Sequence, residues 1–368
     1  MKILYVANAR LPTEKAHGLQ IMKTCEALAR AGSTVELLVP ERKTAIAEDP
    51  FSYYRVERIF RVRKIWVPDT VSMGKTGFIL QHMLFSIRAA LYARRADADV
   101  VYSRDPVALS LLGRKRWRAV WETHDSSASR IQRWCARQVP KVVAITEGLR
   151  SYWSERGIPA EHIVVAPDAV DLDDFANPET KDAARRRLGL PQDTKAALYI
   201  GRLDGWKGIE TLLEASKLLP KDITVVVIGG EIAQVSAMAQ KYPHVRFLGY
   251  RPYQELPDNQ QAADVLVLPN TARSETSARF TSPLKLFTYM ASGIPIVASD
   301  LPSIREVLDE RSACLVAPDD PRVLAEGIER LLADPAWAAH IAREAAERVK
   351  MYSWSKRAET IRDFIRRA

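Results

Sequence analysis

No run of eighteen apolar residues occurs in this chain, so no segment is apolar enough to cross a bilayer as a helix. The opening "MKILYVANAR" passes straight into a short apolar strand and lacks the long apolar core of a signal peptide. Cysteine is scarce. Cys25, Cys135 and Cys314 lie far apart and form no metal-ligand or CxxC spacing, which points to a reducing cytoplasm. There is no P-loop, no GxGxxG with an acid at the right distance, no GxSxG and no HExxH, which removes most hydrolase and dehydrogenase chemistries. Nucleic-acid motifs are missing as well, and the basic residues are spread through the chain.

What the chain does contain is an ordinary globular composition, 47% hydrophobic and 27% charged, with a formal charge of +9. That charge favours anionic partners: phosphorylated small molecules, anionic lipid or nucleic acid. A length of 368 residues exceeds one typical core and predicts two domains. Short apolar runs alternate with helical patterns: "ILYVA", "TVELLVP", "VVYS", "AVWETHD", "VVAIT" and "IVVAP". After a Pro-, Asp- and Asn-rich passage near 170–180 the alternation restarts with "AALYIGRL", "TVVVIGG", "VRFLGY", "VLVLP" and "PIVAS". The pattern predicts an α/β protein of two doubly wound parallel-sheet domains facing a cleft, with ligands at the carboxyl ends of the strands. The boundaries are set at 1–172 and 173–351, and a terminal helix at about 352–368 packs on a neighbouring element. The helical stretch from Phe78, "FILQHMLFSIRAALYARR", reads as an amphipathic core helix, with membrane-surface contact as the alternative.

Several strand-end segments can carry chemistry. In "YIGRLDGWKGIETLLEAS" Arg202 and Lys207 sit in a glycine-bearing loop that feeds a helix, where two cations suit a diphosphate; the plain alternative is two solvated cations. Gly230 in "VVVIGGE" permits close backbone approach. In "TSPLKLFTYMASG" Ser282 reads as an N-cap and Pro283 as the first helical residue. Lys285 then lies in the first turn, where the helix dipole disfavours a cation unless it meets an anion or snorkels to solvent. His124 ends the strand "AVWETH", Arg104 and Asp105 end "VYS", and His17 and Gly18 lie between the first strand and the first helix.

Together these segments resemble the retaining glycosyltransferases of family four, which have the GT-B fold of two Rossmann-like domains. The resemblance rests on "HGLQIMKTCEALARAG", "VYSRDP", "ETHD", "VVAITEGL", "APDAVDLDDF", "GRLDGWKGIETLLEA" and "SPLKLFTYMASGIPIVASDLPSIREVL", in order over nearly the whole chain. It implies transfer of a sugar, with retention and without metal, from a nucleotide-diphosphate sugar to a hydroxyl. UDP-linked donors are expected before GDP-linked ones, and the donor is a substrate, so no cofactor is expected. Residue by residue, it implies catalytic roles for His124, Arg202 and Lys207. Donor binding falls to Gly18, Gly230, Tyr250, Arg251, Thr281, Ser282, Leu284, Lys285 and Thr288, while His17, Arg104 and Asp105 are candidates for the acceptor side or the cleft. The chain departs from the family where two glutamates are common: Phe280 and Thr288 occupy those positions, and Glu275 is a substitute carboxylate at best. Asp168 and Ala169 likewise replace a commoner Asn-Gly pair. A degenerate member that binds without turnover is therefore the second reading; an epimerase or phosphorylase of the same fold fits less well. The basic, aromatic "YYRVERIFRVRKIWVP" and the helix after it suit a sugar or lipid-linked acceptor and an anionic membrane surface, as in bacterial polysaccharide assembly at the inner face of the membrane. Edge strands with solvated arginines are the plain alternative.

Overall fold

A computed structural model describes residues 1–113, 118–126 and 129–367. Two compact units emerge, one of residues 1–168 with 354–368 and one of residues 169–353.

Among its described residues unit 1 contains seven parallel strands: β1 (Lys2–Val6), β2 (Thr34–Glu41), β3 (Arg61–Trp66), β4 (Val100–Ser103), β5 (Ala119–Thr123), β6 (Lys141–Ala144) and β7 (Ile163–Val165). They lie in the order β3-β2-β1-β4-β5-β6-β7. Tyr5 stands between Leu37 and Tyr102 in register, its ring 4.9 Å from that of Tyr102. Unit 2 has six: β8 (Lys195–Ile200), β9 (Ile223–Ile228), β10 (Arg246–Gly249), β11 (Val265–Leu268), β12 (Ile296–Ser299) and β13 (Cys314–Val316), ordered β10-β9-β8-β11-β12-β13. Both are Rossmann-like. The strand order reverses between β1 and β4 in the first and between β8 and β11 in the second, and ligands of such sheets bind at that reversal.

The buried strands explain why apolar runs, not alternation, marked them. Along β8, Ala196, Leu198 and Ile200 face one core while Ala197 and Tyr199 face the other, so every position after Lys195 is covered. One strand, β13, escaped the sequence reading, and another, β3, entered it only as an alternative. β3 is an edge strand that carries exposed Arg61, Arg63 and Lys64, the plain alternative weighed for that basic stretch. β13 has only three residues.

The helix Trp354–Arg366 returns to unit 1 and packs on the helix Ala16–Arg30. Lys141 Nζ donates to the Phe364 and Ile365 carbonyls (2.9 and 2.7 Å) at its C-terminal end, where a cation offsets the helix dipole. Deeper in unit 1, Arg357 donates to Pro167 O (3.0 Å) and Thr24 Oγ1 (3.2 Å). Among the described residues no helix is long and apolar enough to cross a membrane.

Candidate functional site

In unit 2 the predicted residues gather at the β8/β11 reversal. β8 ends at Ile200, and the loop Gly201–Gly208 carries Arg202 and Lys207 before the helix Ile209–Ala215. Gly208 shapes that loop: it has φ +72°, and a Cβ there would come 1.7 Å from the Pro269 carbonyl oxygen. Arg202 is exposed and held by Asp204, Nε to Oδ2 at 3.1 Å. Lys207 is half-buried, and burial holds its pKa below the usual lysine range, with Asp204 acting against the shift.

Lys285 is the most unusual group in this unit. The side chain is half-buried overall, yet its Nζ is shielded from solvent and has no hydrogen-bond partner. The ammonium lies 3.9 Å from the centroid of the Tyr199 ring, and a Cβ on Gly201 would come 3.4 Å from it. Burial, and then the charge of Lys207, push its pKa well down. An aromatic face offsets part of the desolvation of a cation but supplies no acceptor. An anion would supply one.

Around Lys285 the local structure differs from expectation. The helix runs Leu284–Ala291, Pro283 is its extended N-cap residue, and no side chain caps it. Ser282 is therefore one residue outside the cap position and is buried, and Thr281 and Leu284 are half-buried beside it. Thr288 is also corrected. Its hydroxyl accepts from Gln260 Nε2 (3.0 Å) and donates to Lys285 O (3.1 Å), so its proton is spent inside the protein, and the buried side chain is not presented to a ribose. Phe280 is core, and exposed Glu275 lies 3.8 Å from Arg279. Gly230 has a packing reason of its own, since a Cβ there would meet Leu203 Cδ1 at 2.4 Å. Tyr250 and Arg251, both exposed, come directly after β10.

In unit 1, His124 comes directly after β5. Its Nε2 lies 2.5 Å from Glu122 Oε1, and Glu122 Oε2 receives Arg357 Nη2 at 2.8 Å and the Tyr102 hydroxyl. Burial alone would raise the Glu122 pKa, but Arg357 and His124 hold it well below the carboxylate range. Burial and Arg104 lower His124 to about 4, so near neutral pH it is uncharged and donates its Nε2 proton to the carboxylate. Asp168 is buried and accepts from Gln20 Nε2 (2.5 Å); burial pushes its pKa up to about 6. Gln20 Oε1 in turn accepts from Arg104 Nη1 (3.2 Å). Near Arg104, His17 is half-buried and lowered to about 4, chiefly by burial. The sequence reading missed Glu122, Gln20 and Arg357 as members of this network; the only signal available was the position of Glu122 two residues before His124, a spacing that puts two side chains on one side of an extended chain.

Two expectations in this unit are corrected. Gly18 lies inside the helix Ala16–Arg30, its N–H is spent on Lys15 O (3.0 Å), and a Cβ there would strike the Tyr54 hydroxyl at 2.1 Å. It serves packing, and its amide is not open to a phosphate. Asp105 caps the helix Pro106–Ser110 through Val107 N (2.9 Å), accepts from Ser86 Oγ (3.2 Å) and pairs with His82 (3.0 Å), so its oxygens are committed to structure. Among the described residues no cluster of three His, Cys, Asp or Glu side chains is arranged to hold a metal.

Known proteins match both units. A model described as "Glycosyltransferase Family 4" matches residues 18–174, and one described as "Glycosyl transferases group 1" matches residues 194–334. Both models describe glycosyltransferases, and between them they match residues of both units. A D-inositol 3-phosphate glycosyltransferase of Xylanimonas cellulosilytica is 27% identical over 388 residues, covering 95% of this chain and 90% of the relative. A putative teichuronic acid biosynthesis glycosyltransferase of Bacillus subtilis is 31% identical over 187 residues, about half of each chain. Among solved structures, Anabaena Alr3699/HepE in complex with UDP and glucose superimposes with a TM-score of 0.78 at 19% identity over the full length of both chains. Sucrose-phosphate synthase from Thermosynechococcus elongatus gives 0.75 at 20% identity, over 99% of this chain and 98% of that one. The fold is thus GT-B.

Proposed function

We propose that this glycosyltransferase transfers a sugar, with retention, from a nucleotide-diphosphate sugar to an acceptor hydroxyl. The observation that carries the donor class is the Lys285 ammonium, shielded from solvent and without an acceptor, at the strand-order reversal that also holds Lys207 and Arg202. Three cations there match a diphosphate leaving group, whose developing charge must be stabilised as the bond to the sugar breaks. They carry that charge without a bound metal, and no cofactor takes part. The acceptor oxygen attacks C1 from the face the leaving group departs, and its proton passes to the departing phosphate. Neutral His124 contacts the sugar beside the reacting carbon. Tyr250, Arg251 and the backbone at Thr281, Ser282 and Leu284 hold the nucleotide, and His17 and Arg104 line the acceptor side.

UDP-linked donors are favoured over GDP-linked ones, in keeping with the bound UDP of the solved Anabaena relative. The acceptor is a sugar or lipid-linked saccharide of polysaccharide or glycolipid assembly, in keeping with the teichuronic acid glycosyltransferase among its relatives. A panel of UDP, GDP and their sugars in thermal-shift assays, with EDTA present, names the donor; no stabilisation by any of them would overturn the reading. The inward-turned Thr288 and core Phe280 favour one rival, a protein that binds donor without turnover. Donor binding with no hydrolysis and no transfer to any acceptor would decide for it.

A further inference from the structure

The helix Gly74–Arg95 buries one face and leaves the other uncovered. Gly77, Gln81, Phe85, Ala89 and Ala93 face the interior of unit 1. Outward stand Ile79, Leu80, Met83, Ile87 and Leu91, each between 44% and 52% exposed. Ile79, Met83, Ile87 and Leu91 are spaced four apart, so they form one continuous ridge along about three turns. Phe78 and Met73 extend it towards the start of the helix. Trp66, 61% exposed at the end of β3, is tied to the same helix by Arg88, which donates to its carbonyl and lies 5.4 Å from its ring centroid. An apolar surface of this extent on one helix marks a contact with something outside the chain.

Charge identifies what. The helix contains no acidic residue over 22 positions, but it has Lys75, Arg88, Arg94 and Arg95; β3 beside it adds Arg61, Arg63 and Lys64. Glu36 answers Arg63 (2.7 Å), while Arg61, Lys64, Lys75 and Arg95 remain exposed at the rim of the apolar ridge. A second copy of this chain would bring the same cations against themselves. An anionic bilayer brings the opposite charge and an apolar interior together, and Trp is at home at the boundary between them.

We propose that this face, the outer ridge of Gly74–Arg95 with Trp66 and the basic rim, lies in the interface of an anionic membrane, holding the enzyme as a peripheral protein. The surface belongs to unit 1 and shares no residue with the nucleotide site of unit 2, so the two readings fail separately.

The test is flotation with vesicles of phosphatidylglycerol and phosphatidylcholine, and with phosphatidylcholine alone, using the full chain. Wild type is expected to float with the anionic vesicles, and at least tenfold less with the neutral ones or at high salt. The triple variant Ile79→Ser, Met83→Ser, Ile87→Ser is expected to lose at least tenfold of that binding. Its melting temperature and its stabilisation by UDP are expected to stay at wild-type values, because the three side chains support no core. Failure of wild type to float with anionic vesicles overturns the proposal, as does a triple variant that floats equally well. A wild-type dimer that the triple variant converts to monomer also overturns it, since the face would then belong to a second copy. Absence of any UDP effect in both proteins, with flotation intact, would count against the donor reading alone.

Discussion

Replacing Lys285 by methionine separates the two effects of that residue, because the stem is kept and only the ammonium is removed. In the free protein the ammonium is shielded and without an acceptor, and its compensation is the Tyr199 ring 3.9 Å away. An unsatisfied buried polar group costs about 1–3 kcal/mol in mutational series, and more when charged. A cation–π contact returns about 0.5–2 kcal/mol. The desolvation cost wins, so Lys285→Met should stabilise the free protein by about 1–2 kcal/mol, or roughly 2–8 °C for a unit of this size. The direction of the pKa shift sets the sign with pH. Burial and Lys207 lower the pKa in the folded state below its unfolded value, so the penalty is largest at low pH and shrinks as pH rises. The gain from the substitution should shrink in parallel. For donor binding the effect reverses: loss of a charge-assisted hydrogen bond of about 1.5–3 kcal/mol weakens UDP binding roughly 10- to 150-fold. Differential scanning calorimetry and titration calorimetry measure both quantities on one preparation. A variant that melts below wild type without ligand, yet binds UDP unchanged, would refute the anion-site argument.

Arg357→Met should destabilise unit 1 by about 3–5 kcal/mol in urea unfolding, because it strands the Glu122 carboxylate in the core; combining it with Glu122→Gln should recover much of that loss. His17 and His124 are both lowered to about 4 from an ordinary value near 6.5, so the unfolded chain binds their protons first and stability should climb as pH rises from about 4 to 6.5. Asp168, raised to about 6, opposes that climb between about 4 and 6, and His124→Asn should reduce the slope by about one proton, ~1.4 kcal/mol per pH unit, in pH-dependent melts. Thr288→Glu places a carboxylate where a buried threonine hydroxyl is engaged by Gln260 and the Lys285 carbonyl, and should lower the melting temperature without tightening UDP binding; a rise in affinity would show that this helix turn does face the nucleotide.

Strand-end loops carrying Arg202, Lys207 and His124, and the helix start at Lys285, were legible in the chain, because buried parallel strands are short apolar runs and the loops after them must line the carboxyl edge. β3 and β13 were harder to read: one is a basic edge strand with a single covered neighbour, the other too short to show a pattern. Errors at the site share a cause. Gly18 and Thr288 have suitable chemistry for a ligand, but each is already engaged, by Tyr54 packing and by Gln260. Asp105 has a free-looking carboxylate in sequence and a helix cap, a serine and a histidine around it in space.

By itself, then, the sequence determined the local elements, the α/β class and the residues offered at strand ends, since periodicity and cap chemistry act within a few positions. Only the tertiary structure decided that Arg357, 235 positions after Glu122, supplies the charge holding the carboxylate beside His124. It also decided that Lys285 meets an aromatic face and no acceptor, and that one face of Gly74–Arg95 has no cover. The physical reason is the same in each case. Burial and partnership belong to packed surfaces brought together by the fold, and no local pattern encodes which distant side chain will fill, satisfy or leave open a given position.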